Sequence, residues 1–168
     1  MRVPDVDPRE PWSLYKRTVT PAFLAPAGQW YLKEVSRRLD PPLARISGGR
    51  LSTVPGVPLV MLETVGAKSG LPRVSALVYF SDGGRAIVMA SNYGSGKHPG
   101  WYHNIKANPE VTLSSRGRSG RYLGEITSGE ERERLWELAK TFVGAYGRYE
   151  GMTEGAREIP VVAFSPLD

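Results

Sequence analysis

Short strand-like segments separated by tight turns are the feature that most constrains how this chain can fold. They are rich in Val, Ile, Leu and Tyr and are bounded by turn-forming residues, the pattern of short β-strands. They lie at residues 59–65, 74–81, 85–91, 111–114, 121–127 and 159–165. Asp82-Gly83-Gly84, between two of them, is a hairpin signal. Because helices do not alternate with these strands, we predict an α+β fold of about six antiparallel strands, a small barrel or sandwich with flanking helices.

An amphipathic pattern before the strands predicts N-terminal helices over residues 12–39, separated near Pro21 and Pro26. The second helix has an apolar and a basic side, formed by Trp30, Tyr31, Val35 and Leu39 and by Lys33, Arg37 and Arg38. Such a helix packs on the core of its own domain, covers an apolar substrate or touches a membrane surface. Prolines and glycines in residues 40–58 predict a connecting segment.

Two further helices are predicted beyond the first strands. Pro99 suits the first position of a short helix to Ala107, which Asn108-Pro109 ends. Ser128-Gly129-Glu130-Glu131 has the form of a capping box, and apolar residues then repeat at helical spacing. We therefore predict an amphipathic helix over residues 128–147.

Length and composition predict one domain. The 168 residues suit a single domain over residues 12–168, in which residues 59–127 form the cofactor-binding barrel core. Residues 1–11 contain three prolines and are predicted to be a flexible leader. The net charge of +5 favours acidic ligands, but no dense basic run indicates nucleic acid. The chain has no cysteine, which excludes disulfides and thiol chemistry. It has neither a secretion signal nor an apolar run of ~20 residues, so we expect it in the cytoplasm.

The turn between the first two strands is the first candidate binding element. Two glycines flank Lys68 and Ser69, and Arg73 follows within the same eight residues, 66–73. Amides and cationic side chains that converge in this way suit a phosphate group. The spacing is not that of a nucleotide-hydrolase phosphate loop, and a strand rather than a helix follows. A plain hairpin turn with solvated charges is the alternative.

The second candidate element is the helix start Pro99-Gly100-Trp101-Tyr102-His103-Asn104. Its aromatic and polar side chains are crowded onto one helical turn, where Trp101 could pack on a flat ring. A helix anchored by one buried Trp, with Asn104 as a carboxamide cap, is the alternative.

Other catalytic chemistry finds little support in the sequence. The two histidines, His98 and His103, have no carboxylate at a metal-ligand spacing, so we predict no metal site. There is no Gly-x-Ser-x-Gly elbow to make a serine nucleophilic. Tyr146 and Tyr149 share a helical face; they are core residues by default, but their hydroxyls could orient a substrate carbonyl or nitro group.

Four motifs in register resemble the deazaflavin-dependent nitroreductase family of actinobacteria, whose F420H2-dependent quinone reductase-like members belong to the split β-barrel superfamily. The motifs are Leu62-Glu63-Thr64-Val65-Gly66-Ala67-Lys68-Ser69-Gly70-x-x-Arg73, Asp82-Gly83-Gly84, Ala90-Ser91 and Pro99-x-Trp101-Tyr102-x-Asn104-x-x-Ala107-Asn108-Pro109. The resemblance extends from about Gly49 to Pro166 and includes the closing Ile-Pro-Val-Val strand. It implies a split, FMN-binding-like β-barrel that binds coenzyme F420, a deazaflavin with a phospholactyl-oligoglutamate tail.

The same resemblance implies the site residues. The cofactor-binding residues would be Gly66, Ala67, Lys68, Ser69 and Arg73 for the tail, Ser75, Ala76, Val78, Met89, Ala90, Ser91 and Asn92 along the ring, and Gly100, Trp101, Tyr102 and Asn104 closing over it. Hydrogen-bond donors to an acceptor oxygen would be Tyr146 first, then Tyr149 and Ser91. Family members often have Arg where this chain has Ala67, and one well-known member has Lys at the place of Asn92 and Tyr at that of Val143, which disfavours that member's prodrug nitroreduction.

The resemblance thus implies an F420H2-dependent oxidoreductase that passes hydride to a quinone, a nitroaromatic compound or another activated acceptor. The alternatives are an FMN-binding reductase on the same barrel and a carrier that binds F420 or an apolar ligand without turnover. Residues 12–39 could contact the inner face of the membrane or a second copy in a homodimer; the sequence leaves the oligomeric state open.

Overall fold

A computed structural model shows a closed barrel of six antiparallel strands with helices around it, and describes residues 1–9, 22, 25–47, 51–54 and 56–167. The strands are β1 (Leu59–Val65), β2 (Pro72–Asp82), β3 (Arg85–Met89), β4 (Glu110–Ser115), β5 (Arg118–Ile126) and β6 (Val161–Pro166). Their order around the barrel is β1-β2-β3-β6-β5-β4, and β4 pairs with β1 to close it. The predicted antiparallel barrel is confirmed, with β2 and β5 longer than predicted, β3 shorter, and β6 starting later.

The register of the strands decides which residues meet inside the barrel. Met61 lies opposite Ala76 on β2 and opposite Ser114 on β4, so β1 is paired on both edges. One core fills the barrel and includes Leu62, Tyr79, Leu113 and Phe164. Gly124 lets the Phe164 ring cross β5, because a Cβ there would lie 2.9 Å from a ring carbon.

A second core lies outside the barrel, between β3, β6 and two C-terminal helices. These helices are Gly129–Phe142 and Ala145–Thr153. Their buried side chains, among them Leu135, Trp136 and Phe142, pack on Phe80, Ile87 and Met89. Because both faces of β3 are covered, its residues after Arg85 are all buried and show no polar alternation.

The helical elements, numbered in chain order, differ from prediction at their ends. Helix α1 is Pro26–Tyr31, continued by a π-helical turn Leu32–Ser36; α2 is Arg37–Ser47; α3 is Gly100–Ala107; α4 is Gly129–Phe142; and α5 is Ala145–Thr153. Pro99 precedes α3 as its N-cap rather than starting it. The predicted single helix 128–147 is two helices, because Val143 takes extended backbone angles. Ser128 does occupy the N-cap of α4, but its side chain makes no capping hydrogen bond.

Helix α2 extends to Ser47 through Pro41 and Pro42, where a connecting segment is predicted. Side chains bind this helix to the chain that returns to β1. The Thr53 amide donates to Asp40 Oδ1 at 2.6 Å, and the Thr53 hydroxyl donates to Ser36 Oγ at 2.7 Å. These tertiary bonds stabilise a helix whose prolines remove two of its own amide donors.

The predicted apolar side of residues 26–39 is not one buried face. Trp30 and Leu39 are 63% and 47% exposed, while Tyr31 and Val35 are half-buried. The π-helical turn at 32–36 inserts extra residues per turn and rotates the following side chains away from the regular helical spacing. The part of the predicted N-terminal helices at 12–21 lies outside the described residues. In the described residues no helix is both long and apolar enough to cross a bilayer.

Residues 1–9, which the sequence predicts as part of a flexible leader, lie against the barrel. The Val3 amide donates to the Tyr122 hydroxyl at 2.8 Å, and the Tyr79 hydroxyl donates to Pro4 O at 2.7 Å. Val6 and Ser81 exchange two further hydrogen bonds. Buried strand hydroxyls, which the proline and charge pattern does not reveal, bind this segment.

Candidate functional site

A cavity of about 1110 Å³ lies between the barrel and the N-terminal helical segment. Its walls are the β1–β2 turn, the middle of β2, the loop after β3, the start of α3, helices α1 and α2, and the first turns of α5. The predicted residues that line it are Gly66, Ala67, Lys68, Ser69, Arg73, Ser75, Ala76, Val78, Ser91, Asn92, Gly100, Trp101, Asn104, Tyr146 and Tyr149. The fold thus brings together residues as far apart in the chain as Gly66 and Tyr149, around a volume just above the ~300–1,000 Å³ usual for small-molecule sites.

Three predicted cofactor residues do not line the cavity. Met89 is buried in the outer core beneath α4, and Ala90 is fully buried in the barrel core. Tyr102 packs partly on the barrel core, with its ring 4.7 Å from that of His98. The side chains of Met89 and Ala90 fill the two cores because β3 is covered on both faces.

Asn104 shapes the β1–β2 turn rather than offering both amide ends to a ligand. Its Oδ1 accepts from the Ala67 amide at 3.0 Å, and its Nδ2 donates to Thr64 Oγ1 at 3.0 Å. The Gly66 amide donates to Leu71 O at 2.8 Å, so two amides expected to face a phosphate are already used. A Cβ at Gly66 would lie 2.5 Å from Ser69 Oγ and 3.2 Å from Leu71 O, so a larger residue would displace the Ser69 hydroxyl.

Cationic side chains line part of the cavity. They are Lys68, Arg73 and Lys97, and none forms a salt bridge with a described carboxylate. Asp40 is the one carboxylate among the described lining residues; it is buried, and its Oδ1 accepts from Ser52 and Thr53. The cavity therefore suits an anionic group.

The loop after β3 enters the cavity in a strained conformation. Asn92 and Tyr93 have φ of 45° and 54°, in the left-handed region that non-glycine residues rarely occupy. Asn92 Nδ2 donates to Lys97 O at 2.9 Å, which ties the side chain to the far end of the same loop. Strain of this kind persists only where surrounding contacts over-determine the backbone.

The two predicted tyrosines differ in their hydrogen bonding. Tyr149 exchanges hydrogen bonds with the Gln29 side chain at 3.0 and 3.3 Å, which binds α1 over the cavity. Tyr146 is 6% exposed, lines the cavity, and has no hydrogen-bond partner for its hydroxyl among the described residues. Burial, and to a lesser extent Tyr149 and Tyr93, raise the pKa of Tyr146 well above its usual value, so the hydroxyl stays protonated.

Sequence reasoning missed the contribution of the helical segment and of the loop. Leu32, Val54 and Val57 add apolar wall, and Tyr93 donates from its hydroxyl to Leu32 O at 3.3 Å. Val143, at the position where one well-known family member has Tyr, lines the cavity. The types of these wall residues carry no chemical signal in the sequence, since only the packing of α1 on the barrel brings them to the cavity.

The cavity wall combines apolar, cationic and hydroxyl side chains. The described residues contain no group of three or more His, Asp or Glu side chains placed to hold a metal ion. Trp101, the cationic side chains and the buried Tyr146 hydroxyl together suit an aromatic ligand that carries an anionic group.

Comparison with known proteins gives consistent matches. The family model described as F420H(2)-dependent quinone reductase matches residues 36–166. A Mycobacterium tuberculosis protein named F420H(2)-dependent quinone reductase is 33% identical over 133 residues, covering 76% of this chain and 88% of that protein.

Two solved structures match over most of their own length. One, described as an F420-H2 dependent reductase (FDR-A), is 37% identical with a TM-score of 0.59 and covers 64% of this chain and 94% of that chain. The other, described as a domain-swapped dimer, is 34% identical with a TM-score of 0.60 and covers 74% of this chain and 94% of that chain.

Proposed function

This chain belongs to the F420H(2)-dependent quinone reductase family, and we propose that it reduces a quinone-like acceptor in the cavity between the barrel and α1. The family and the F420 dependence predicted from the motifs are confirmed. The observation that carries the acceptor proposal is the cavity itself: its wall holds cationic side chains and the Tyr146 hydroxyl, for which the described part of the chain offers no partner.

Lys68, Arg73 and Ser69 would hold the phosphate and carboxylates of the cofactor tail. Lys68 and Arg73 are exposed at the cavity mouth and have no described acidic partner, so a bound anion would not have to displace one. Family members often have Arg at the position of Ala67, which offers no side-chain donor. The cofactor tail would therefore be held by Lys68, Arg73 and Ser69. When bound, reduced F420 supplies the hydride.

The chain's own task is to position the acceptor and to stabilise the charge that develops on its oxygen. Tyr146 is a protonated donor in a water-poor wall, where a hydrogen bond to an oxyanion is strong. Leu32, Val57 and Val143 form apolar wall and exclude water from the acceptor. Fixed Asn92 and apolar Val143 favour a quinone over the nitro prodrug chemistry of the well-known family member.

Titration of the purified protein with F420, F420H2, FMN and NADPH tests this proposal, followed by F420H2 oxidation with menadione. We expect selective deazaflavin binding and menadione-dependent oxidation, measured by fluorescence and absorbance. Tight FMN binding that resists exchange would favour a flavin reductase instead. Deazaflavin binding without turnover on quinones, nitroaromatics and unsaturated carbonyls would identify a carrier.

Removing one cationic side chain should weaken the hold on the cofactor tail. We expect Lys68→Met and Arg73→Met each to raise the Kd for F420 about tenfold, or about 1.4 kcal/mol, with a smaller effect at high salt. Arg118→Met is the control, since it removes an equal charge at the start of β5, outside the cavity. Equal Kd values in all three variants would contradict the assignment.

Tyr146→Phe should lower kcat for menadione reduction roughly tenfold to a hundredfold, because the oxyanion loses its donor. The Kd for F420H2 should stay within about twofold, since the phenyl ring keeps its packing. Tyr149→Phe is the matched control: its hydroxyl already bonds Gln29, so we expect the smaller loss in kcat. An unchanged kcat in Tyr146→Phe would transfer the donor role to Ser91, the remaining predicted candidate.

We further propose that α1 and α2 contact an anionic lipid surface from which an apolar quinone would enter. Trp30, Leu39 and Ile46 are 63%, 47% and 85% exposed, next to exposed Lys33 and Arg38. Trp30→Ser with Ile46→Ser should reduce cosedimentation with phosphatidylglycerol vesicles, while Leu123→Ser, on β5, should not. No wild-type cosedimentation would exclude the contact.

A solved relative is a domain-swapped dimer, which supports a homodimer that light scattering of the same samples would detect.

A further inference from the structure

Arg157 lies outside the cavity, between α5 and β6, and binds the loop that enters it. Its Nε donates to Ser95 O at 2.9 Å, and its Nη2 donates to Ser91 O at 2.8 Å. Its Nη1 donates to Ala90 O at 3.2 Å and lies 3.3 Å from His98 Nδ1. One guanidinium thus reaches three carbonyls and a ring nitrogen over residues 90–98, a fork that a lysine could not reproduce.

The contact with His98 fixes the state of that imidazole. A guanidinium has only donors, so the ring nitrogen facing it must present its lone pair. The proton of the neutral ring is then on Nε2. A second proton on Nδ1 would place two N–H groups and two positive charges against each other.

The groups around His98 also oppose its protonation. Burial lowers the pKa of His98 most, followed by the positive charges of Arg157, His103 and Lys106. From α3 the Tyr102 ring stacks at 4.7 Å, and His103 lies 6.1 Å away between ring centroids. Lys97 precedes His98 in the loop, and none of the described groups that act on the ring is a carboxylate.

We propose that Arg157 is a positioning residue that holds the strained 90–98 loop and keeps His98 as a neutral Nε2–H donor in the cavity wall. His98 lines the cavity with the cationic side chains, where an Nε2–H suits a phosphate or carboxylate oxygen. The choice of that ligand rests on the proposed function; the loop and tautomer assignments do not. The Arg157 contacts to Ser91 O and Ser95 O flank the left-handed backbone at Asn92 and Tyr93 on both sides.

The first test uses the cofactor-free protein. Nitrogen NMR of the imidazole should show His98 protonated on Nε2, with a pKa below the usual histidine value. Arg157→Met should raise that pKa, mix the two tautomers, and speed amide hydrogen exchange at Gly94 and Ser95 at least tenfold. Arg157→Lys keeps the charge without the fork, so the pKa should stay low while exchange still accelerates. Arg134→Met, an equal charge change on α4, should alter neither signal.

The second test measures F420 affinity by fluorescence titration. Arg157→Met and His98→Leu should raise the Kd about tenfold and fivefold, whereas His98→Gln, whose amide places an N–H near the Nε2 position, should stay within twofold. A proton on Nδ1 in the wild type, or unchanged exchange in both Arg157 variants, would overturn the proposal; if Arg157→Met does not fold, Arg157→Lys and the wild-type spectrum decide it. Failure of wild-type F420 binding would instead reject the proposed function and leave the cofactor-free measurements valid.

Discussion

Closure of the barrel through non-local strand pairs is the constraint on which the rest of this structure depends. β1 pairs with β4 and β3 pairs with β6, so strands far apart in sequence become neighbours. Closure removes the exposed edges of the sheet and brings the β1–β2 turn, the loop after β3 and the start of α3 to one cavity. None of these segments forms the site alone, since the cavity walls come from all three and from the helices around the barrel.

Many polar groups of the cavity walls form hydrogen bonds that position the walls, so they are not available to a ligand. Asn104 uses both ends of its amide to hold the turn, and Tyr149 and Tyr93 hold α1. The side chains without described partners, Lys68, Arg73 and Tyr146, are the ones we assign to ligand contacts. This separation of positioning from binding matches cofactor chemistry, in which the protein chiefly orients and desolvates the reactants.

Local patterns predicted the strands well because their hydrophobic runs and turn residues act over a few positions. They failed where distant contacts decide the backbone: α2 passes through Pro41 and Pro42 because Thr53 binds Asp40, and residues 1–9 lie on strand hydroxyls. Most of the site residues predicted from the family resemblance line the cavity. The prediction also included Met89, Ala90 and Tyr102, whose side chains pack in or beside the cores, because a motif records a position and not its orientation.

The sequence by itself determined the strand content and the two motif-bearing elements, because each depends on residue types at short fixed spacing. Its resemblance to a known family implied the kind of cofactor. Only the tertiary structure decided that the Tyr146 hydroxyl has no partner among the described residues while Tyr149 binds Gln29, that Asn104 serves the turn, and that Arg157 reaches the loop before α3. Those properties depend on which atoms meet across more than thirty residues of chain, and hydrogen-bond partners at such separations leave no periodic signal in a single sequence.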